Sequence, residues 1–115
     1  MSDSSAATSI TGTPGSPGRA SGPARVVHSP DDFGRVLPGD VLVCRFTEPA
    51  WTALFGVVAA VVTETGGVLS HAAIVAREHG IPAVLAVPGA MTTLRDGDTV
   101  TVDGGAGRVS VRPTV

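Results

Sequence analysis

The stretch "VVAAVVTETGGVLSHAAIVAREHGIPAVLAV", Val57–Val87, decides the fold. Val57–Thr63 is a nearly continuous apolar run, the pattern of a strand buried on both faces. A loop with two adjacent glycines follows, and then a helical stretch from Ser70 to His79. Ser70 suits the N-cap, Gly80 the left-handed position past the helix end, and Pro82 prevents continuation. "AVLAV", Ala83–Val87, is a second short buried strand. Strand, helix and strand in this order form a βαβ unit with parallel strands. Around the helix Ala72, Val75 and Ala76 share one side, whereas Arg77 and Glu78 point elsewhere. The small alanines allow the helix to approach a sheet closely.

On the N-terminal side, "ARVVH" (Ala24–His28) reads as a strand. Ser29 and Pro30 then open a single helical turn, as N-cap and first helical residue. "PGD" (Pro38–Asp40) is a turn and "VLVCRF" (Val41–Phe46) a strand. "TEPAWTALF" (Thr47–Phe55) predicts a short helix, with Thr47 as its cap and Trp51, Leu54 and Phe55 at helical spacing. On the C-terminal side, "DTVTVDGGAGRVSV" (Asp98–Val111) alternates around a glycine-rich turn and predicts a β-hairpin. The expected fold is a mixed α/β domain with strands in more than one layer. Residues 1–14, rich in Ser, Thr, Ala, Gly and Pro, are expected to form a flexible arm, and residues 15–112 the domain.

Composition narrows the partners. The chain has 115 residues, 43% of them apolar, enough for one core. Its net charge is −2 and it shows no basic stripe, which argues against nucleic acid as the main partner. Cys44 is the only cysteine, so no internal disulfide framework exists and a cytoplasmic setting fits. The apolar run Ala53–Val62 is too short to span a bilayer. The N-terminus lacks the basic and apolar regions of a signal peptide. "TGTPGSPG" (Thr11–Gly18) lacks the Gly-Lys-Ser/Thr ending of a P-loop.

His71 is the residue with chemical promise. With Ser70 as N-cap it becomes the first helical residue, beside unpaired backbone N–H groups and the positive end of the helix dipole. Such a helix end receives anions, phosphate above all. Gly66 and Gly67 let the preceding backbone approach a ligand closely. A neutral imidazole there can attack a phosphoryl group and become a phosphohistidine. Equally, a histidine at a helix start can be structural or merely exposed. No metal is expected, because Glu64, His71 and His79 lack ligand spacing. His79, in the last helical turn, complements the dipole, and Cys44 reads as an inert core residue. Asp96-Gly97 and Asp103-Gly104 are turn chemistry.

"TETGGVLSHAAIVAREHGIPAV" (Thr63–Val84) resembles the phosphohistidine signature of the phosphoenolpyruvate-utilising enzymes: a Gly-Gly, a Ser-His-Ala, an Ala-Arg, then Gly-x-Pro. "SPGRASGPARVV" (Ser16–Val27), "PGDVLV" (Pro38–Val43), "TEPAWTALF" and "LRDGDTVTVDGGAGRV" (Leu94–Val109) are similar to the family's mobile domain in the same order. The resemblance implies a swivelling three-layer β/β/α domain. It makes His71 the phosphorylated residue, with Gly66, Gly67, Ser70, Ala72 and Arg77 as the motif positions that support the phosphate site. Leu69 stands where many relatives have threonine, and Ala86 where glycine is common.

The resemblance also implies that the chain binds no cofactor itself. ATP or phosphoenolpyruvate, with Mg2+, is expected on partners: an ATP-grasp-like nucleotide-binding subunit and a subunit binding pyruvate or another acceptor. The expected function is the phosphoryl carrier of a split phosphotransferase, inactive alone. The alternative is a non-catalytic binding or regulatory module on the same fold.

Overall fold

The central strands have no polar face, and the architecture covers them on both sides. The computed structural model describes residues 8–112. Its strands are β1 (Thr8–Thr11), β2 (Thr13–Ser16), β3 (Arg19–Val26), β4 (Val41–Cys44), β5 (Ala60–Thr63), β6 (Ala83–Leu85), β7 (Thr99–Asp103) and β8 (Arg108–Arg112). The helices are α1 (His71–His79) and α2 (Ala90–Thr93), with 3-10 helices at Pro30–Arg35 and Pro49–Gly56.

Every residue of β4, β5 and β6 is buried. Alternation sends their side chains to two different cores. Val41, Val43, Ala60, Val62 and Val84 meet Val100, Val102, Val109 and Val111 of the C-terminal hairpin. Leu42, Cys44, Val61, Ala83 and Leu85 meet Trp51, Leu54 and Phe55 of the second 3-10 helix and Ala72, Ala73, Val75 and Ala76 of α1. The result is antiparallel sheet, parallel sheet and helix layer, the β/β/α arrangement that the family resemblance implies. The unit β5–α1–β6 is parallel, with Val61 opposite Ala83 and Val62 opposite Val84. The strands β7 and β8 form the expected hairpin.

Two continuous segments join the sheets. Arg19–Pro23 of β3 pairs antiparallel with β7, and Ala24–Val26 pairs parallel with β4. The second segment is β1–β2. Its first half pairs with β8 and its second with β6, and only Gly12 lies between them. A Cβ at Gly12 would collide with the Leu85 carbonyl, so glycine is required where the chain crosses.

This crossing corrects the expected arm. Residues 8–14 are strand, apart from Gly12, and residues 1–7 lie outside the described residues. Thr8, Ile10, Thr11 and Thr13 are β-branched and suit an edge strand, and Ile10 packs against the hairpin core. Composition alone hid that pattern. The first predicted strand is also longer than expected toward its N-terminus, since β3 begins at Arg19. Its Pro23 is tolerated at the point where β3 changes partners.

Ser29 caps the first 3-10 helix, accepting a hydrogen bond from Asp31 N, as the sequence suggested. Asp96 and Asp103 are turn residues: Asp96 accepts from Val26 N and Arg35, and Asp103 from Ala106 N. Ala86 has φ 55°, a left-handed conformation that explains why glycine suits this position. Ala86→Gly is expected to stabilise the fold by about 0.5–1 kcal/mol, relief of the Cβ strain exceeding the added chain entropy. Urea unfolding of the two proteins measures the difference.

Candidate functional site

The site is built where β5 ends and α1 begins. Glu64 N donates to Cys44 O at 3.0 Å, and Thr65 donates to Arg45 O through both its N and its Oγ1, each at 3.1 Å. The Glu64 carboxylate accepts from Met91 N at 2.9 Å and ties the loop to α2. Gly66 then turns the chain with φ 108°, and a Cβ there would press on Ser70 at 3.2 Å. Gly67 accepts from Ser70 N at 2.9 Å. Ser70 takes the N-cap position, its Oγ accepting from Ala73 N at 3.4 Å. His71 is therefore the first residue of α1, as expected.

The imidazole has an inner and an outer nitrogen. His71 Nδ1 lies 2.7 Å from the Oγ1 of Thr47, a residue only 6% exposed. Its Nε2 faces the exposed Thr52 Oγ1 at 3.4 Å, long for a hydrogen bond. The buried Phe55 ring meets the imidazole edge to face, with centroids 6.1 Å apart. The ring is thus fixed from below by a hydroxyl and from the side by an aromatic. When the ring carries its proton on Nδ1, Thr47 accepts it and Nε2 keeps a free lone pair at the outer side.

The other sequence-designated residues divide into two groups. Gly66, Gly67 and Ser70 shape the turn that delivers His71. Ala72 is 4% exposed and packs in the core beneath the helix layer. Arg77 does not reach toward the imidazole partners. Its guanidinium donates to Gly15 O at 2.6 Å and Val68 O at 2.8 Å, clasping the loop before α1 to β2. In this structure both ends of the fork are occupied by carbonyls, so Arg77 holds the loop. His79 lies at the far end of α1 and His28 after β3, and neither joins the site.

Thr47 and Thr52 were not legible as site residues. Thr47 read as a helix cap, but Glu48 occupies that position, and the Thr47 hydroxyl is turned to His71 instead. Phe46, Val68, Leu69 and Ile74, on the segments flanking His71, are exposed, Leu69 by 83%. Cys44 is no competing nucleophile. Burial, reinforced by the nearby Glu64 charge, pushes its thiol up to about 12.

A sheet sandwich with one helix layer, its helix entered through a Gly-Gly turn, defines the class of swivelling β/β/α domains. The profile of the "PEP-utilising enzyme, mobile domain" family matches residues 36–107, and the chain belongs to this family. It is 52% identical over 102 residues to the Bacillus subtilis protein named "Uncharacterized phosphotransferase YvkC", a match covering 89% of this chain and 12% of that one. It is 42% identical over 105 residues to the rifampicin phosphotransferase of Bacillus cereus, covering 91% of this chain and 12% of the relative. The solution NMR structure of Enzyme I (nEIt) superposes with a TM-score of 0.60 at 36% identity, covering 68% of this chain and 32% of that one. The chain thus spans about one-eighth of the length of these two phosphotransferases. Among the described residues, no helix is long and apolar enough to cross a membrane.

Thr47→Val keeps the shape but removes the ring's inner partner. It is expected to cost about 1 kcal/mol of stability, read by urea unfolding, and to change the tautomer balance of His71, read from imidazole 15N shifts. Cys44 is expected to resist a thiol reagent at pH 8 in the folded protein and to react fully once urea unfolds it. Immediate reaction of the folded chain would contradict the raised thiol pKa.

Proposed function

We propose that this chain is a phosphoryl carrier, with His71 Nε2 as the atom that is phosphorylated. One observation carries the reading: Nδ1 is held by the buried Thr47, while Nε2 opens outward at the start of α1. The Nε2 lone pair attacks the phosphorus of the donor. An N–P bond forms, the donor's P–O bond breaks, and its electron pair leaves with the donor oxygen. The ring proton stays on Nδ1, donated to Thr47. The first N–H groups of α1 and its dipole favour the anionic group that results. The reverse sequence then passes the phosphoryl group to an acceptor.

The donor and acceptor sites belong to other parts of the assembly. The relatives' greater length supports this, since the chain matches 12% of each of them. We assign the donor to an ATP-grasp-like nucleotide-binding partner using ATP with Mg2+, or to a phosphoenolpyruvate site. The acceptor is pyruvate or another small molecule. In this reading the chain is the carrier domain or subunit of a phosphotransferase, and it does no chemistry without those other sites.

The test supplies the remaining domains of a phosphotransferase relative in trans, with ATP labelled at the β or γ phosphate or with labelled phosphoenolpyruvate. The expected product is acid-labile, alkali-stable label on the chain, absent from His71→Ala. Label retained in His71→Ala, or no label from any of these donors, overturns the reading.

A further inference from the structure

Thr52 is the one side chain whose polar atom faces the outer nitrogen of His71 among the described hydrogen bonds. Its single hydroxyl proton is already engaged, donated to Pro49 O at 2.8 Å within the second 3-10 helix. While so engaged, the hydroxyl donates no proton to Nε2, and the lone pair of that nitrogen stays free. At 3.4 Å this contact is long, and a weak contact is easily displaced.

We propose that Thr52 is a second contact for the phosphoryl group: its hydroxyl rotates from the Pro49 carbonyl to a phosphoryl oxygen once His71 Nε2 is phosphorylated. The inference rests on the carrier reading of His71 and adds a residue to it. Three observations support the swap. Thr52 lies on the Nε2 side of the ring, where the phosphorus must sit. Its present acceptor is a neutral carbonyl, whereas a phosphoryl oxygen is anionic and accepts a stronger hydrogen bond. Thr52 is exposed, so its rotation displaces no packed neighbour. Pro49 loses nothing costly, because a carbonyl in an exposed turn can accept from water.

The hydroxyl has a chemical consequence. Hydrolysis of a phosphohistidine passes through a loose transition state, in which the phosphoryl oxygens carry less charge than in the ground state. A donor to those oxygens favours the ground state and slows the loss of the group. Thr52 thereby lengthens the time during which the charged domain can reach its acceptor. Atoms balance without a further reactant, since only one hydrogen bond changes partner.

The test uses the whole chain, loaded on His71 with phosphoramidate, which needs no protein partner. The loss of phosphate from the His71 peptide is followed by mass spectrometry at neutral pH for wild type, Thr52→Val and Thr52→Ser. The expected result is decay about five- to tenfold faster in Thr52→Val, the loss of part of a charge-assisted hydrogen bond, and near wild-type decay in Thr52→Ser. Equal lifetimes in wild type and Thr52→Val overturn the proposal. Equally rapid decay in Thr52→Ser and Thr52→Val also overturns it, because the methyl group rather than the hydroxyl would then matter. Either result leaves the carrier reading to the separate labelling of His71 by a protein donor.

Discussion

Everything in this domain follows from the burial of β4, β5 and β6 on both faces. A strand with no polar side needs an apolar layer above and another below. The C-terminal hairpin supplies one, through Val100, Val102, Val109 and Val111. The helix layer supplies the other, through Phe55, Ala72, Ala73 and Ala76. Because α1 is pressed against the sheet by small residues, its first residue has a fixed position. His71 is therefore held by packing that extends across the whole domain, and not only by the loop before it.

The same helix layer gives the imidazole its two different sides. Phe55 belongs to the core and touches the ring edge-on, and Thr47 is buried just before the same 3-10 helix. Thr52, three residues before Phe55 in that helix, stays in solvent. One short segment therefore presents an inner hydroxyl, an outer hydroxyl and an aromatic edge to one ring. Such fixed geometry suits positional catalysis, in which the reacting atom is aligned before the reaction begins.

Much of this was legible in the sequence, and the exceptions have physical causes. The βαβ unit, the limits of α1 and the hairpin follow from local signals: apolar runs, Ser70, Gly80, and alternation around Gly104-Gly105, whereas the three-layer order came from the family resemblance. His71 could be singled out because a helix start and a glycine pair are local features. Thr47 could not, since its partner lies 24 residues away and its own neighbourhood mimics a helix cap. Arg77 was read by motif, whereas its partners Gly15 and Val68 are set by the fold. Residues 8–14 were misread because their Ser/Thr/Pro/Gly composition resembles a linker, while their pairing partners lie at the other end of the chain and in β6.

The crossing at Gly12 has a meaning beyond architecture. It places β1 and β2, four residues each, at the outer ends of the strand order, and Pro14 removes one N–H from that border. A border so short and interrupted is a poor template for another chain's backbone. In the carrier reading proposed above, the domain meets different surfaces in turn and must let go of each. With backbone pairing discouraged, its recognition falls to side chains, which release as readily as they dock.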